Sequence, residues 1–202
     1  MRIPALPLKG LKWGMAALMV FDHVAFIFFP DLTFLRIPGR LVWPVFAALV
    51  ARQLSQGYPP ERYVKRLLPF ALLAQPFYAL AFGFPLLFPL NVLFTLLSAA
   101  LLQAGWGPLA PLLSLISESP PGLLLVELLA RRKPLLEALA HGTWLRFSGW
   151  GAVYALLGGG AVLLAWALGE KARPGRRTPW WALYAFYPGH LALLAAVKAL
   201  LP

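Results

Sequence analysis

The sequence predicts an all-α, polytopic transmembrane bundle, and three observations carry that prediction. Of 202 residues, 60% are hydrophobic and only 12% are charged, where soluble domains average about half and a quarter. Mean hydropathy is +0.73. No segment alternates apolar and polar residues as a barrel strand does, whereas a helix satisfies its own backbone polar groups in hydrocarbon. The length suits one integral-membrane domain over residues 1–202, with no room for a separate soluble one.

Four runs, 11–30, 64–83, 149–168 and 180–201, are long enough or nearly so to cross a hydrocarbon core of about 30 Å. Two shorter runs, 38–53 and 90–105, cross with local thinning or behind neighbouring helices. Pro30, Pro38, Pro59, Pro60, Pro85 and Pro89 mark chain reversals between them. The first run lacks a small-residue cleavage site and carries Asp22 and His23, so it reads as a retained helix. Residues 106–148 hold only short apolar pieces, broken by prolines and a polar "SES", which fits broken, re-entrant or interfacial segments. Keeping both the 131–133 and 171–177 basic clusters on one side makes residues 134–148 cross, with Glu137, His141 and Arg146 aboard. The expected total is therefore about seven to nine membrane segments.

Positive charge sets the orientation. Arg2, Lys9 and Lys12 open the first run, Arg52, Arg62, Lys65 and Arg66 flank the next link, and residues 84–89 carry no charge. By the positive-inside rule the N-terminus is cytoplasmic, in the cytoplasmic (inner) membrane, and the 84–89 link faces outward. The net charge of +11 does not indicate nucleic acid, because the basic residues sit at the ends of apolar runs, where they meet lipid headgroups. With no cysteine, disulfides and thiolate chemistry are excluded, and no metal site is expected.

Polar groups at the bilayer midplane are the functional candidates, since each is costly there unless paired or hydrated. In "LMVFDHVAFIFF", Asp22 and His23 lie ten and eleven residues past Lys12, about 15 Å deep. Adjacent residues on a helix do not face each other, so Asp22 needs a partner other than His23. Arg40, in "RIPGRLVWPVF", lies twelve residues before Arg52, about 18 Å above the same surface. A structural Asp22–Arg40 ion pair is predicted, with His23 turned to another neighbour. His190, in "FYPGHLALL", lies ten residues past Trp180 and so at about the depth of His23. Pro188 and Gly189 predict a kink and a close approach there. Two histidines at one depth look like a site, although each also reads as a buried neutral imidazole bonded to a carbonyl. Asn91 and Thr95 share a predicted face, as substrate contacts or as helix–helix glue. Arg62, Lys65 and Arg66 form a basic face suited to phosphates, and also read as ordinary positive-inside flanking. His141 reads as interfacial and the eight tryptophans as belt residues.

The blocks "LKWGMAALMVFDHVAF", "RIPGRLVWPVFA", "RYVKRLL", "NVLFTLL" and "FYPGHLALL", in that order, resemble the TraX family of membrane proteins. That family is typified by the enzyme that acetylates the N-terminus of conjugative pilin. The first helix also resembles the opening of the broader membrane acyltransferase-3 group, in which an essential histidine precedes a basic Arg-x-x-Arg motif. On that likeness His23 corresponds to the histidine. Arg62 and Lys65 fall at the basic spacing, lysine standing where the group has arginine, with Arg66 adjacent.

The resemblance implies acyl transfer from acetyl-CoA, or another acyl-CoA, to an amine or hydroxyl of an undefined acceptor: a peptide amine, a sugar or a lipid headgroup. His23 would be the base or a transiently acylated nucleophile. His190 or Asn91 would steady the developing oxyanion or orient the acceptor, and the basic cluster would hold the donor's phosphates. The alternative is a small proton-coupled transporter with Asp22, His23 and His190 as the relay, against which stands the lack of an inverted repeat. A non-catalytic assembly partner is a third reading.

Overall fold

The computed structural model describes residues 8–118, 126, 131, 133–136, 138, 140, 151–171 and 179–201. Glu137, His141 and Arg146 lie outside them. The described residues are helical apart from turns, links and one isolated bridge between Leu90 and Ser117. Among the described residues there are seven α-helices, all but α5 on runs that the sequence predicts: α1 Leu8–Phe28, α2 Val42–Ser55, α3 Pro60–Phe82, α4 Val92–Gln103, α5 Leu109–Leu115, α6 Gly151–Lys171 and α7 Ala182–Leu200. Two short 3₁₀ helices, Thr33–Arg36 and Pro38–Leu41, precede α2. The predicted 38–53 helix thus begins in tighter turns, because Pro38 cannot donate a helical hydrogen bond.

Among the described residues three stretches, Leu8–Phe28, Thr33–Ser55 and Ala182–Leu200, are long and apolar enough to cross a membrane. Only 28% of the most apolar window of α1, and of α7, is buried against protein. The rest of that apolar surface must face a medium that tolerates it, which is lipid. Val92–Gln103 and Leu156–Leu168 are shorter apolar helices. The larger total of segments expected from sequence depended on residues 106–148, most of which past Glu118 lie outside the described set.

The chain divides into two compact units. The first comprises residues 1–52 and 128–179. Here α1 packs on both 3₁₀ helices, and α6 packs on the second of them. Gly159 lets α6 approach closely, since a Cβ there would meet the Ala138 carbonyl at 2.9 Å.

The second unit comprises residues 53–127 and 180–202. α3 packs on α7 and α4, and α4 packs on α5. α3 and α7 run parallel: Phe70, midway along α3, meets Tyr184 near the start of α7, with ring centroids 5.7 Å apart. Lys198 Nζ donates to the Ala81 carbonyl near their ends, at 3.1 Å. A cation on those last carbonyls complements the negative end of α3. Its termination at Phe82 follows from Gly83, whose φ of 74° suits a residue without a side chain.

Candidate functional site

In the first unit, α1 presents Asp22 and His23, both 8% exposed. The 3₁₀ helices carry Arg36 and Arg40, four residues apart, to the aspartate. Arg40 Nη2 donates to Asp22 Oδ1 at 2.9 Å and to Oδ2 at 3.1 Å, and Arg36 Nε stands 3.5 Å from Oδ1. The pair predicted from helical rise therefore forms, with a second arginine beside it. Arg36 was missed in the sequence, though its i, i+4 spacing from Arg40 was the available signal. Its guanidinium also lies 4.4 Å from the centroid of the Phe26 ring. Gly39 is buried against Asp22, and a Cβ there would overlap the Asp22 Cβ and carboxylate. The aspartate is thus committed to arginines, while His23 projects about 100° away around α1.

The second unit holds the other candidates. Asn91 does not share the α4 face with Thr95, because it is the extended N-cap residue, with φ −64° and ψ 164°. Its Oδ1 accepts from Leu93 N at 3.1 Å. Its Nδ2 donates to the Ala71 carbonyl at 2.9 Å and to Gln75 Oε1 at 2.8 Å. Gln75 Oε1 also accepts from Asn91 N at 2.8 Å, and Gln75 Nε2 donates to the carbonyls of Leu86 at 2.8 Å and Pro89 at 3.1 Å. Gln75 was not singled out from sequence. A lone amide inside "ALLAQPFYAL" is its signal, because a buried polar group must find partners.

Thr95 Oγ1 lies 2.7 Å from Ser117 Oγ. Ser117 already donates to the Ser114 carbonyl at 2.8 Å, so Thr95 is the donor between them. Asn91 and Thr95 therefore spend their hydrogen bonds on packing, which matches the helix-glue reading.

Of the three basic residues, Arg66 turns inward. It donates to Tyr58 Oη at 2.8 Å and its guanidinium lies 4.8 Å from the Trp180 ring centroid. Arg62 and Lys65 are exposed, as anion-binding cations must be. The predicted single basic face is thus divided, because Trp180 and Tyr58 offer Arg66 a stacking and hydrogen-bonding partner that lipid headgroups do not.

His190 is 8% exposed. Its Nδ1 lies 3.0 Å from the Phe186 carbonyl, four residues back, which helps to fix the ring. Phe186 stacks on the imidazole at 5.2 Å, and Tyr187 meets it edge-on at 5.4 Å. The Tyr187 hydroxyl is buried, with the Val92 backbone beside it, and Tyr187 is a residue the sequence reading passed over. The expected close approach at Gly189 does not occur: the glycine is exposed, and a Cβ there would meet no described atom within 4 Å. Since α3 and α7 run parallel, His190 lies ten residues past Trp180 and eight before Lys198, about midway along the pair. His23 belongs to the first unit and His190 to the second.

An all-helical chain with membrane-spanning helices, a buried arginine-bound aspartate and mid-helix histidines is a polytopic membrane protein with a polar interior. A family model described as TraX protein matches residues 8–108, half of the 202-residue chain. The chain belongs to the TraX family. No curated protein and no solved structure matches it.

Proposed function

We propose that this protein is an acyl-CoA-dependent membrane acyltransferase, with acetyl-CoA as donor and an amine or hydroxyl as acceptor. The observation that carries the reading is His23, a buried imidazole within α1 of a TraX-family chain. Its neighbouring carboxylate is held by Arg40 and Arg36 and so is not a second base. Neutral imidazole is the form able to remove a proton from the acceptor as it attacks the thioester.

Arg62 and Lys65, exposed at the start of α3, suit the phosphates of the donor. Arg66 is a clamp between α3 and the start of α7 rather than a third phosphate contact. His190 is the other catalytic candidate, and Asn91, whose amide hydrogens are already donated, is poorly suited to steady an oxyanion. We place the protein in the cytoplasmic membrane with its basic rim inside, where acyl-CoA is available. The acceptor is a peptide amine, a sugar or a lipid headgroup.

The test uses purified full-length protein with acetyl-labelled CoA and a panel of acceptors. Label should pass to one acceptor class, and His23→Ala should abolish transfer while leaving the unfolding midpoint in place. Full turnover by His23→Ala would remove the histidine from the chemistry. Proteoliposome flux without any acetyl-CoA binding would replace the enzyme with a proton-coupled carrier.

A further inference from the structure

Trp180 and Trp181 stand together at the start of α7, and both are half exposed, at 51% and 52%. Tryptophan at such a place ordinarily reads as a belt residue, which needs a depth and no particular orientation. Trp181 fits that description. Trp180 does not, because several neighbours fix its ring. The Arg66 guanidinium lies 4.8 Å from the ring centroid. Phe70 meets the indole edge-on at 6.4 Å, and Tyr184 lies 6.3 Å away.

Those neighbours are themselves held. Tyr184 is hydrogen-bonded to Tyr63, which is buried. Arg66 donates to Tyr58 Oη at 2.8 Å, and Tyr58 meets Tyr63 edge-on at 6.2 Å. All of these residues belong to the second compact unit. Trp181 shares none of the ring and guanidinium contacts made by Trp180.

The clamped indole lies beside the exposed cations. Arg62 precedes Arg66 by four residues and Lys65 by three, so the three side chains leave neighbouring positions on α3. Arg62 stands one turn, about 6 Å, nearer the start of the helix than the arginine that meets Trp180. The two features suit different parts of one ligand. Exposed arginine and lysine bind phosphates. A fixed aromatic ring binds a flat π-system, because any nucleobase can stack on it. Holding the ring in place beforehand lowers the ordering cost of binding. A bare phosphate or a lipid headgroup would engage the cations and leave the orientation of the ring without use. A nucleotide uses both.

We propose that the adenine of the acyl donor stacks on the exposed part of Trp180 while Arg62 and Lys65 hold its phosphates. This rests on the acyl-CoA reading and deepens it. The protein recognises the nucleotide end of CoA, and a donor that presents the pantetheine arm without a nucleotide is a poor one. Arg66 is a positioning residue that acts through Trp180. Phe70 and Tyr184 keep the indole in place when lysine stands at position 66.

The test is calorimetry on purified full-length protein. Wild type should bind CoA more tightly than phosphopantetheine, which lacks the nucleotide. Adenosine 3′,5′-bisphosphate should displace CoA at far lower concentration than pyrophosphate, which carries the charge without a base. Trp180→Leu should weaken CoA about tenfold and leave phosphopantetheine unchanged, while Trp181→Leu changes neither. Trp180→Phe, with a smaller ring, should fall between. Equal loss for both ligands, or CoA affinity untouched by Trp180→Leu, overturns the stacking and returns Trp180 to the lipid belt. So does pyrophosphate that competes as well as the adenosine bisphosphate, a comparison in which no variant has to fold. Acetyl transfer by wild type without that base preference removes the adenine site alone. Wild type that binds neither CoA nor acetyl-CoA removes the donor reading, and the adenine site with it.

Discussion

At the scale of single residues, the firmest feature is a buried carboxylate between two arginines. Asp22 and Arg40 side chains are 12% and 20% exposed, so little water screens them, and removing one partner leaves a charge stranded in an apolar setting. Arg40→Leu should lower stability by about 3–5 kcal/mol, and Asp22→Asn should move it the same way, both read as the unfolding midpoint in detergent. An unchanged midpoint in both variants would reduce the pair to an incidental contact. Gly39→Ala tests the close packing beside it. The added methyl collides with Asp22, and overpacking of this kind costs about 1–3 kcal/mol. Alanine tolerated there without loss would show that the second 3₁₀ helix can retreat from α1. The ion pair was legible in the sequence because Asp22 and Arg40 share a depth set by helical rise. Arg36 was signalled only by its spacing from Arg40, because its reach depends on the 3₁₀ turns that bring residue 36 back over α1.

At the scale of elements, two devices hold the second unit. Gln75 joins α3 to the 86–89 link and to the N-cap of α4, so Gln75→Leu strands two carbonyls and an amide. Each buried group left unsatisfied costs about 1–3 kcal/mol. Gln75→Leu should lower the midpoint and, with intact protein still folded, expose the 83–90 link to proteolysis in detergent. Loss of stability without link cleavage would mean that Pro85 and Pro89 stiffen the link unaided. The second device is Arg66, stacked on Trp180 and bonded to Tyr58. Arg66→Lys keeps the charge but loses the planar stack, so it should lower stability by about 1 kcal/mol and leave acyl-CoA affinity nearly unchanged. The Arg62→Gln, Lys65→Gln double variant should do the reverse, weakening donor binding and flattening its salt dependence. Equal effects of both changes on affinity would restore the undivided basic face expected from sequence.

At the scale of the whole molecule, ligand binding should appear as stabilisation of the folded chain. Acetyl-CoA at a hundred times its dissociation constant should add about 2.7 kcal/mol, with free CoA and ATP doing less, and a midpoint indifferent to all three would count against the donor. The sequence by itself determined the helical class and the placement of most of the helices. These follow from a chain that must hide its backbone in lipid, with apolar runs as long as the solvent is thick. It also carried the family resemblance, since the matching blocks are local strings. Tertiary structure alone decided that Asn91 caps α4 and is saturated by Gln75, that Arg66 is withdrawn from the rim, that Gly189 faces outward, and that the ends of α4 and α5 meet. Each of those depends on which helices lie side by side and how they are rotated, and linear spacing along one helix says nothing about the rotation of its neighbour.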